Sequence, residues 1–419
     1  MRVLVLCPHF EPDTAPTGHV MTRLVEELGK REHDVHVITS LPWYRTHSVD
    51  SEWTGRLARK KTTSWGSITR LHPMTSAKKN NLVARALAFV MFSMISALAG
   101  VAQKRCDVIL VMSPPLTLGL AGWLAVLRHR APLVLNIQDI HPEAAVATGS
   151  ISNPKIISML ESLEFFSYKK ADAITALSDD LRLNIANRIE HPDKVRVIPN
   201  FVDTDRIYPD SKFNNYRIAL GLTDEVVVMY AGNLGYSQPI EIVIDAARRL
   251  QHRQEIVFVI NGEGSRRVEL EAKAAGLENM RFVDFASYED LNEVLAAADI
   301  HLILLKPGLG TASVPSKLYS ILAAGRPVLA SVDTGTEIDL VVSRTGAGRS
   351  VSSNDNGLFA ETLIALVDDP VGRDAAGKAG RKFAEEWLSA DSVAQSYDEL
   401  FEELLFLVVN KKKNFRRKL

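Results

Sequence analysis

The sequence predicts an α/β protein made of two Rossmann-like, doubly wound parallel-sheet domains that face each other across a cleft. Three observations lead there. The chain has 419 residues, which at about 150 residues per domain calls for two to three cores. Short apolar runs alternate with helical patterns along its length, as parallel strands covered on both faces do. The alternation breaks once, at Pro199-Asn200-Phe201-Val202-Asp203, and then starts afresh. With 46% apolar and 24% charged residues there is ample material for packed cores, which excludes a disordered or fibrous chain.

In the first half, strands are expected at 3–7, 34–39, 67–71, 108–112, 133–137, 173–176 and 195–198, with helices such as 19–30 and 156–169 between them. Right-handed crossovers of this kind give one doubly wound sheet. The second half repeats the scheme: strands at 226–230, 256–260, 281–283, 300–304 and 328–330, and helices at 240–251, 266–275, 288–297 and 317–324. After Asp369-Pro370 two helices, 371–386 and 392–409, close the chain. The expected division is 1–200, 201–386 and a closing segment 387–419.

The net charge of -1 conceals two basic regions. The last nine residues hold Lys411, Lys412, Lys413, Arg416, Arg417 and Lys418 and no acid, and without those six the body has 43 basic against 50 acidic residues. From Trp53 to Cys106 there is no Asp or Glu but there are Arg56, Arg59, Lys60, Lys61, Arg70, Lys78, Lys79, Arg85, Lys104 and Arg105. That pattern suits an anionic surface. The apolar segment 86–102 inside it has 17 residues, short of the roughly 20 a span needs, so it reads as a core helix or as one that lies on a bilayer. The chain opens directly on a strand with no export-signal architecture, and its two cysteines, Cys7 and Cys106, can build neither a disulfide framework nor a zinc site; a reducing compartment is expected.

Several chemistries are absent: no G-x-x-x-x-G-K-[ST] loop, no G-x-S-x-G elbow, no H-E-x-x-H helix, and no G-x-G-x-x-G after the first strand. Asp203-Thr204-Asp205 imitates a metal-binding D-x-D but sits just past a Pro-Asn turn, where helix-capping carboxylates belong. The loop from Pro8 to His19, with Gly18 at a helix start, offers amides to an anion, or is an ordinary βα turn. His9 and His19 in it read as surface or capping residues.

The strand at 133–137 ends in Gln138-Asp139-Ile140-His141-Pro142-Glu143, ionisable groups on the functional rim of such a sheet or a capped helix start. In the second half, Ala231-Gly232-Asn233-Leu234-Gly235 and Asn261-Gly262-Glu263-Gly264 place paired glycines just beyond strands, for close ligand approach or tight turns. The glycine-rich run that ends in Val314-Pro315-Ser316-Lys317 supplies amides, a hydroxyl and a cation to a diphosphate; otherwise Ser316 is a cap and Lys317 is solvated.

Taken together, Gln138 to Gly149, Val197 to Asp203, Tyr230 to Gly235, Val314 to Tyr319 and Ala323-Ala324-Gly325-Arg326-Pro327-Val328 resemble the family 4 glycosyltransferases, with the pattern of bacterial surface-polysaccharide enzymes similar to L-fucosamine transferases. The resemblance runs in order through nearly the entire chain. It implies a GT-B fold whose closing helix returns to the N-terminal domain, and a retaining, metal-independent transfer with no cofactor. A nucleotide-diphosphate sugar, UDP-linked in expectation, is the donor, held by Gly18, Asn233, Gly262, Glu263, Ser316, Lys317 and Ser320. Asp139 and His141 stand as the catalytic candidates, and His19, Lys78, Lys79 and Arg85 mark the acceptor and membrane side.

A lipid-linked or glycan acceptor at the inner face of the cell membrane follows from the same resemblance, and no nucleic-acid partner is expected. The sequence departs from the family at telling positions. Ala312 and Ser320 replace a Glu-x7-Glu pair, Asn233 and Gln238 replace two phosphate cations, and Gln138 stands where His is common. A nucleotide-sugar epimerase of the same fold, or a binding protein that has lost catalysis, are the alternative readings.

Overall fold

The strands form where β-branched and aliphatic residues run without interruption. In the computed structural model, which describes residues 1–44, 48–74, 82–140, 153–285, 289–309 and 317–417, they assemble into two sheets. The first contains β1 (Arg2–Leu6), β2 (Asp34–Ser40), β3 (Ala58–Thr63), β4 (Gly66–Leu71), β5 (Val108–Ser113), β6 (Leu133–Ile137), β7 (Ala173–Ala176) and β8 (Val195–Val197), in the order β3-β4-β2-β1-β5-β6-β7-β8. The second contains β9 (Val226–Ala231), β10 (Ile256–Asn261), β11 (Met280–Val283), β12 (Ile300–Leu304), β13 (Val328–Val332) and β14 (Gly348–Ser352), in the order β11-β10-β9-β12-β13-β14. Strand order reverses beside β1 in one sheet and beside β9 in the other, and ligands of doubly wound sheets settle outside the carboxyl ends at such points.

The polypeptide divides into two units, Met1–Asn200 with Ala390–Leu419, and Phe201–Ser389. The helix Pro370–Trp387 runs past the expected boundary at 386, so the closing segment begins at Ala390. Its helix, Ala390–Arg417, continues through the basic residues instead of ending near 409. Tyr397 anchors it to the first sheet: its hydroxyl accepts from Asn136 Nδ2 at 2.9 Å and lies 3.0 Å from Thr175 Oγ1. Arg31–Asp391, His33–Asp398 and Arg196–Glu403 add polar contacts at 2.7, 2.9 and 3.1 Å.

Side-chain alternation fixes which face each helix covers. Leu133, Leu135 and Ile137 pack with Phe92, Ala97, Leu118 and Ala121, so the helices Leu82–Val101 and Thr117–His129 cover that face. Asn136 and Thr175 point to the opposite face, where Tyr397 sits. The helix Leu82–Val101 and the closing helix therefore lie on opposite faces of the first sheet.

Three further differences have local causes. β3, ARKKTT, is polar after Ala58 and gave no apolar signal; it pairs antiparallel with β4 as an exposed edge, where lysines deter further pairing. β14, read GRSVS, was missed for the same reason. Arg70, counted among the surface cations, is 5% exposed and turned inward.

Candidate functional site

At the carboxyl rim of the second sheet, β9 ends in Tyr230 and Ala231 before a turn at Gly232. That glycine has φ +148°, and a Cβ there would collide with Lys317 Nζ. A Cβ on Gly262, just past β10, would collide with Gly232 O, so the two glycines let the strand ends lie against each other. Gly232 N–H donates to Asn261 O at 2.8 Å and Leu234 N–H to Glu263 O at 2.8 Å, which closes the rim.

Lys317, the first residue of the helix Lys317–Ala323, is folded back over this rim. Its ammonium lies 4.4 Å above the centroid of the Tyr230 ring and donates to the Tyr230 hydroxyl at 2.8 Å. That hydroxyl donates in turn to Asn233 O at 2.8 Å. Burial brings the Lys317 amine down to about 8 and raises the Tyr230 phenol. Among the described residues no carboxylate pairs with Lys317. The side chain anticipated in contact with a phosphate is thus held against an aromatic ring, a partner the sequence did not suggest.

The neighbouring candidates divide. Asn233 is exposed, and Gln238 Oε1 accepts from Gly235 N–H at 3.2 Å, so of the two amides that replace cations Gln238 braces the turn itself. The Glu263 carboxylate is tied to Arg267 at 2.5 Å, and Arg267 also holds Asp284 and Glu271. Ser320 is half-buried one turn along from Lys317. Ser316 and Ala312 lie outside the described residues. Asp203 Oδ1 accepts from the amides of Asp205 and Arg206, the turn-capping role expected of it.

The carboxyl rim of the first sheet is built around the loop after β1. Gly18 gives no free amide: its N–H donates to Ala15 O at 2.9 Å, and a Cβ would press to 3.0 Å on His9 Cβ. Gly18 thus serves a packing contact with His9. His9 Nδ1 lies 2.7 Å from Asp13 Oδ2, while Asp13 Oδ1 accepts from Tyr44 N–H at 3.1 Å. His19 Nδ1 lies 2.5 Å from Glu11 Oε1, a bond that holds the Glu11 carboxyl below its ordinary range. Arg70 donates to the carbonyls of Phe10 and Glu11 and stacks over Trp53 at 5.5 Å; burial brings its guanidinium down to about 10.

At the end of β6, Gln138 is buried and exchanges hydrogen bonds with the Asn200 amide at 2.8 and 3.2 Å while donating to Asn136 Oδ1 at 2.7 Å. Asp139 follows it and is exposed. His141, Lys78 and Lys79 lie outside the described residues, as does the Arg85 side chain. The His9–Asp13 pair, Tyr44, Arg70 and Tyr230 are what sequence reasoning passed over; His9 and Asp13 stand four apart in a loop, where spacing carries no facing rule.

Two doubly wound parallel-sheet units in one chain are the make-up of the GT-B fold. Among solved structures, sucrose-phosphate synthase from Thermosynechococcus elongatus is similar at TM-score 0.70 and 17% identity, over 97% of this chain and 100% of that one. HepE from Anabaena, solved with UDP, is similar at TM-score 0.69 and 16% identity, over 96% and 100%. Residues 17–200 match the glycosyl transferase 4-like domain, and residues 212–383 match the glycosyl transferases group 1 family. The putative colanic acid biosynthesis glycosyl transferase WcaI of Escherichia coli K12 is 27% identical over 410 residues, covering 95% of this chain and 98% of its own. The chain belongs to the family 4 glycosyltransferases.

Proposed function

We propose that this enzyme moves a sugar from a UDP-sugar onto a lipid-linked or growing glycan acceptor in cell-surface polysaccharide synthesis, retaining the anomeric configuration and using no metal or other cofactor. The observation that carries the donor half is Lys317, a partly buried cation without a carboxylate partner among the described residues, poised at the switch point of the second sheet. A leaving diphosphate needs a fixed positive group, and this is one the rim supplies. UDP fits because the similar fold of HepE is solved with it, and a surface-polysaccharide role follows the names of WcaI and of the probable glycosyltransferase WbjE of Pseudomonas aeruginosa, 27% identical over 304 residues. Asp139, exposed at the end of β6, is the acceptor-side residue assigned to orient the attacking hydroxyl.

The membrane half rests on the first unit. Leu87, Met91, Met94 and Leu98 form an exposed stripe on the helix Leu82–Val101 at spacings of three and four. The helix Thr117–His129 packs beside it with Leu124 and Leu127 exposed, and the helix Pro154–Lys170 adds Met159. None of the described helices is long and apolar enough to cross a membrane, so this face is assigned to lie on the cytoplasmic leaflet. The test is a panel of nucleotide sugars in thermal shift, then transfer to membrane lipid extract with and without chelator, with the product's anomeric configuration read by NMR. Stabilisation by UDP-sugars and a chelator-insensitive, retained product support the reading; isomerised donor without acceptor supports the epimerase. Sedimentation with anionic and neutral vesicles at two salt concentrations tests the membrane face, and protein left in the supernatant throughout removes it.

A further inference from the structure

We propose that the outer end of the closing helix, from Leu405 to Lys418, is a second membrane contact and the one that selects anionic lipid. This rests on the peripheral-membrane reading above and divides its work between two surfaces. The helix Ala390–Arg417 changes character after Leu404. Up to that point one side is core: Val393, Ala394, Tyr397, Leu400, Phe401 and Leu404 are buried, at the spacings of three and four that seat a helix on a sheet. The next five residues, Leu405-Phe406-Leu407-Val408-Val409, are apolar on every side, and none of them is buried. Phe406, Leu407 and Val409 are 68%, 45% and 48% exposed.

Position explains the change. Asp391 and Asp398 pair with Arg31 and His33, just before β2, while Glu403 pairs with Arg196 on β8, the last strand of the sheet. The helix therefore crosses the sheet and reaches its edge near Glu403, where no described strand continues beneath it. The helical residues 405–417 extend about 20 Å further. An apolar run on all sides is ill matched to a single partner helix, whose seam needs a stripe at heptad spacing. It is matched to a medium. Lys411, Lys412, Lys413, Arg416, Arg417 and Lys418 follow at once, with no acid from residue 404 onward. Apolar residues bordered by cations complement the boundary of a leaflet, where acyl chains lie beneath anionic headgroups.

The first surface lacks this chemistry. Residues 86–102 hold no charge, and the exposed Leu87, Met91, Met94 and Leu98 favour acyl chains whatever the headgroup. A modest apolar contact and a polybasic one are each weak alone and stable together. Near an anionic leaflet each well-placed cation strengthens binding about fivefold, a gain that added salt removes.

Vesicles of phosphatidylcholine, alone or mixed with phosphatidylglycerol, are sedimented at low and high salt with the wild type and with the triple variant Lys411→Gln, Lys412→Gln, Lys413→Gln. The triple variant is expected to bind mixed vesicles about 10- to 100-fold more weakly, to lose most of the salt dependence, and to bind neutral vesicles as the wild type does. An environment-sensitive dye on Val409→Cys should shift to the blue on mixed vesicles, and the same dye on Met94→Cys on both kinds; Cys7 and Cys106 are buried. Wild-type binding of mixed vesicles by the triple variant, or a silent Val409 dye beside a responding Met94 dye, overturns the tail contact and leaves the first surface standing. A silent Met94 dye beside a responding Val409 dye does the reverse. A lipid-free dimer that Phe406→Ser dissociates, seen by analytical ultracentrifugation, assigns the apolar run to a second copy and overturns the proposal.

Discussion

The two edges of the second sheet each hold a partly or fully buried cation, and they treat it in opposite ways. At the amino edge Arg217 is 1% exposed and its donors are spoken for: Nη2 meets Asp299 Oδ2 at 2.5 Å, Nε donates to Ala297 O at 2.8 Å, and Nη1 to the carbonyls of Thr223 and Glu225 at 3.0 and 2.9 Å. Asp299 is completed by Lys212 at 2.7 Å and by Val227 N–H at 3.0 Å. At the carboxyl edge Lys317 has one phenol oxygen and the face of a ring. A cation whose charge and hydrogen bonds are matched inside the fold holds the fold together; one left without an anion has capacity for a ligand.

The largest expected effect lies at the closed edge. Asp299→Asn leaves Arg217 and Lys212 without their carboxylate and should cost about 3 to 5 kcal/mol of unfolding free energy, measured by denaturant titration. UDP affinity in the fraction that stays folded should not change. Burial pushes the Asp299 carboxyl up, but the Lys212 and Val227 hydrogen bonds and the two cations outweigh it and hold the group below its ordinary value. A depressed folded value means the stabilisation is present above the unfolded carboxyl range, about pH 4, and disappears as pH falls through the lower folded value. Wild type should therefore lose stability in acid, with Asp299→Asn losing less.

The contrast also marks what a sequence makes legible. Aliphatic runs such as Val108–Ser113 and Ile300–Leu304 announce buried parallel strands because burial on both faces demands an unbroken apolar string. β3 is silent because an edge strand needs no such string. Glycines past β9 and β10 flag a rim, yet the Tyr230–Lys317 contact joins residues 87 apart and the Arg217–Asp299 pair residues 82 apart. No local period encodes those distances. Gly18 shows the opposite case, a motif-like glycine whose purpose is to make room for His9.

At the open edge, Lys317→Met should weaken UDP by about 1.5 to 3 kcal/mol, the scale of a hydrogen bond to a charged group, as read by calorimetry. Without ligand the same change should stabilise the protein at pH 7. Burial lowers the amine from 10.5 to about 8, so the charged form is a cost to the fold that is fully present below pH 8 and fades as pH rises toward 10.5. A shift of that size bounds the gain at about 1 to 3 kcal/mol, and it should vanish when both proteins are melted near pH 10.5. A Lys317→Met protein less stable than wild type at pH 7 would put Lys317 in the same class as Arg217.

The smallest effect sharpens the comparison most. Tyr230→Phe keeps the ring face under Lys317 and removes only the hydroxyl, which both accepts from Lys317 and donates to Asn233 O. An ammonium has three donors, so Lys317 can keep its bond to Tyr230 while it turns the other two toward a diphosphate. The hydroxyl then aims the cation and steadies the turn at Asn233 in the same stroke. Its removal should weaken UDP about three- to tenfold, the net value of one hydrogen bond, with a similar fall in stability. A double-mutant cycle with Lys317→Met separates the two contributions: if the hydroxyl acts through the cation, Tyr230→Phe should change UDP affinity far less in the Lys317→Met background than in the wild type. Equal losses in both backgrounds would confine Tyr230 to the turn and leave Lys317 to find the diphosphate unaided.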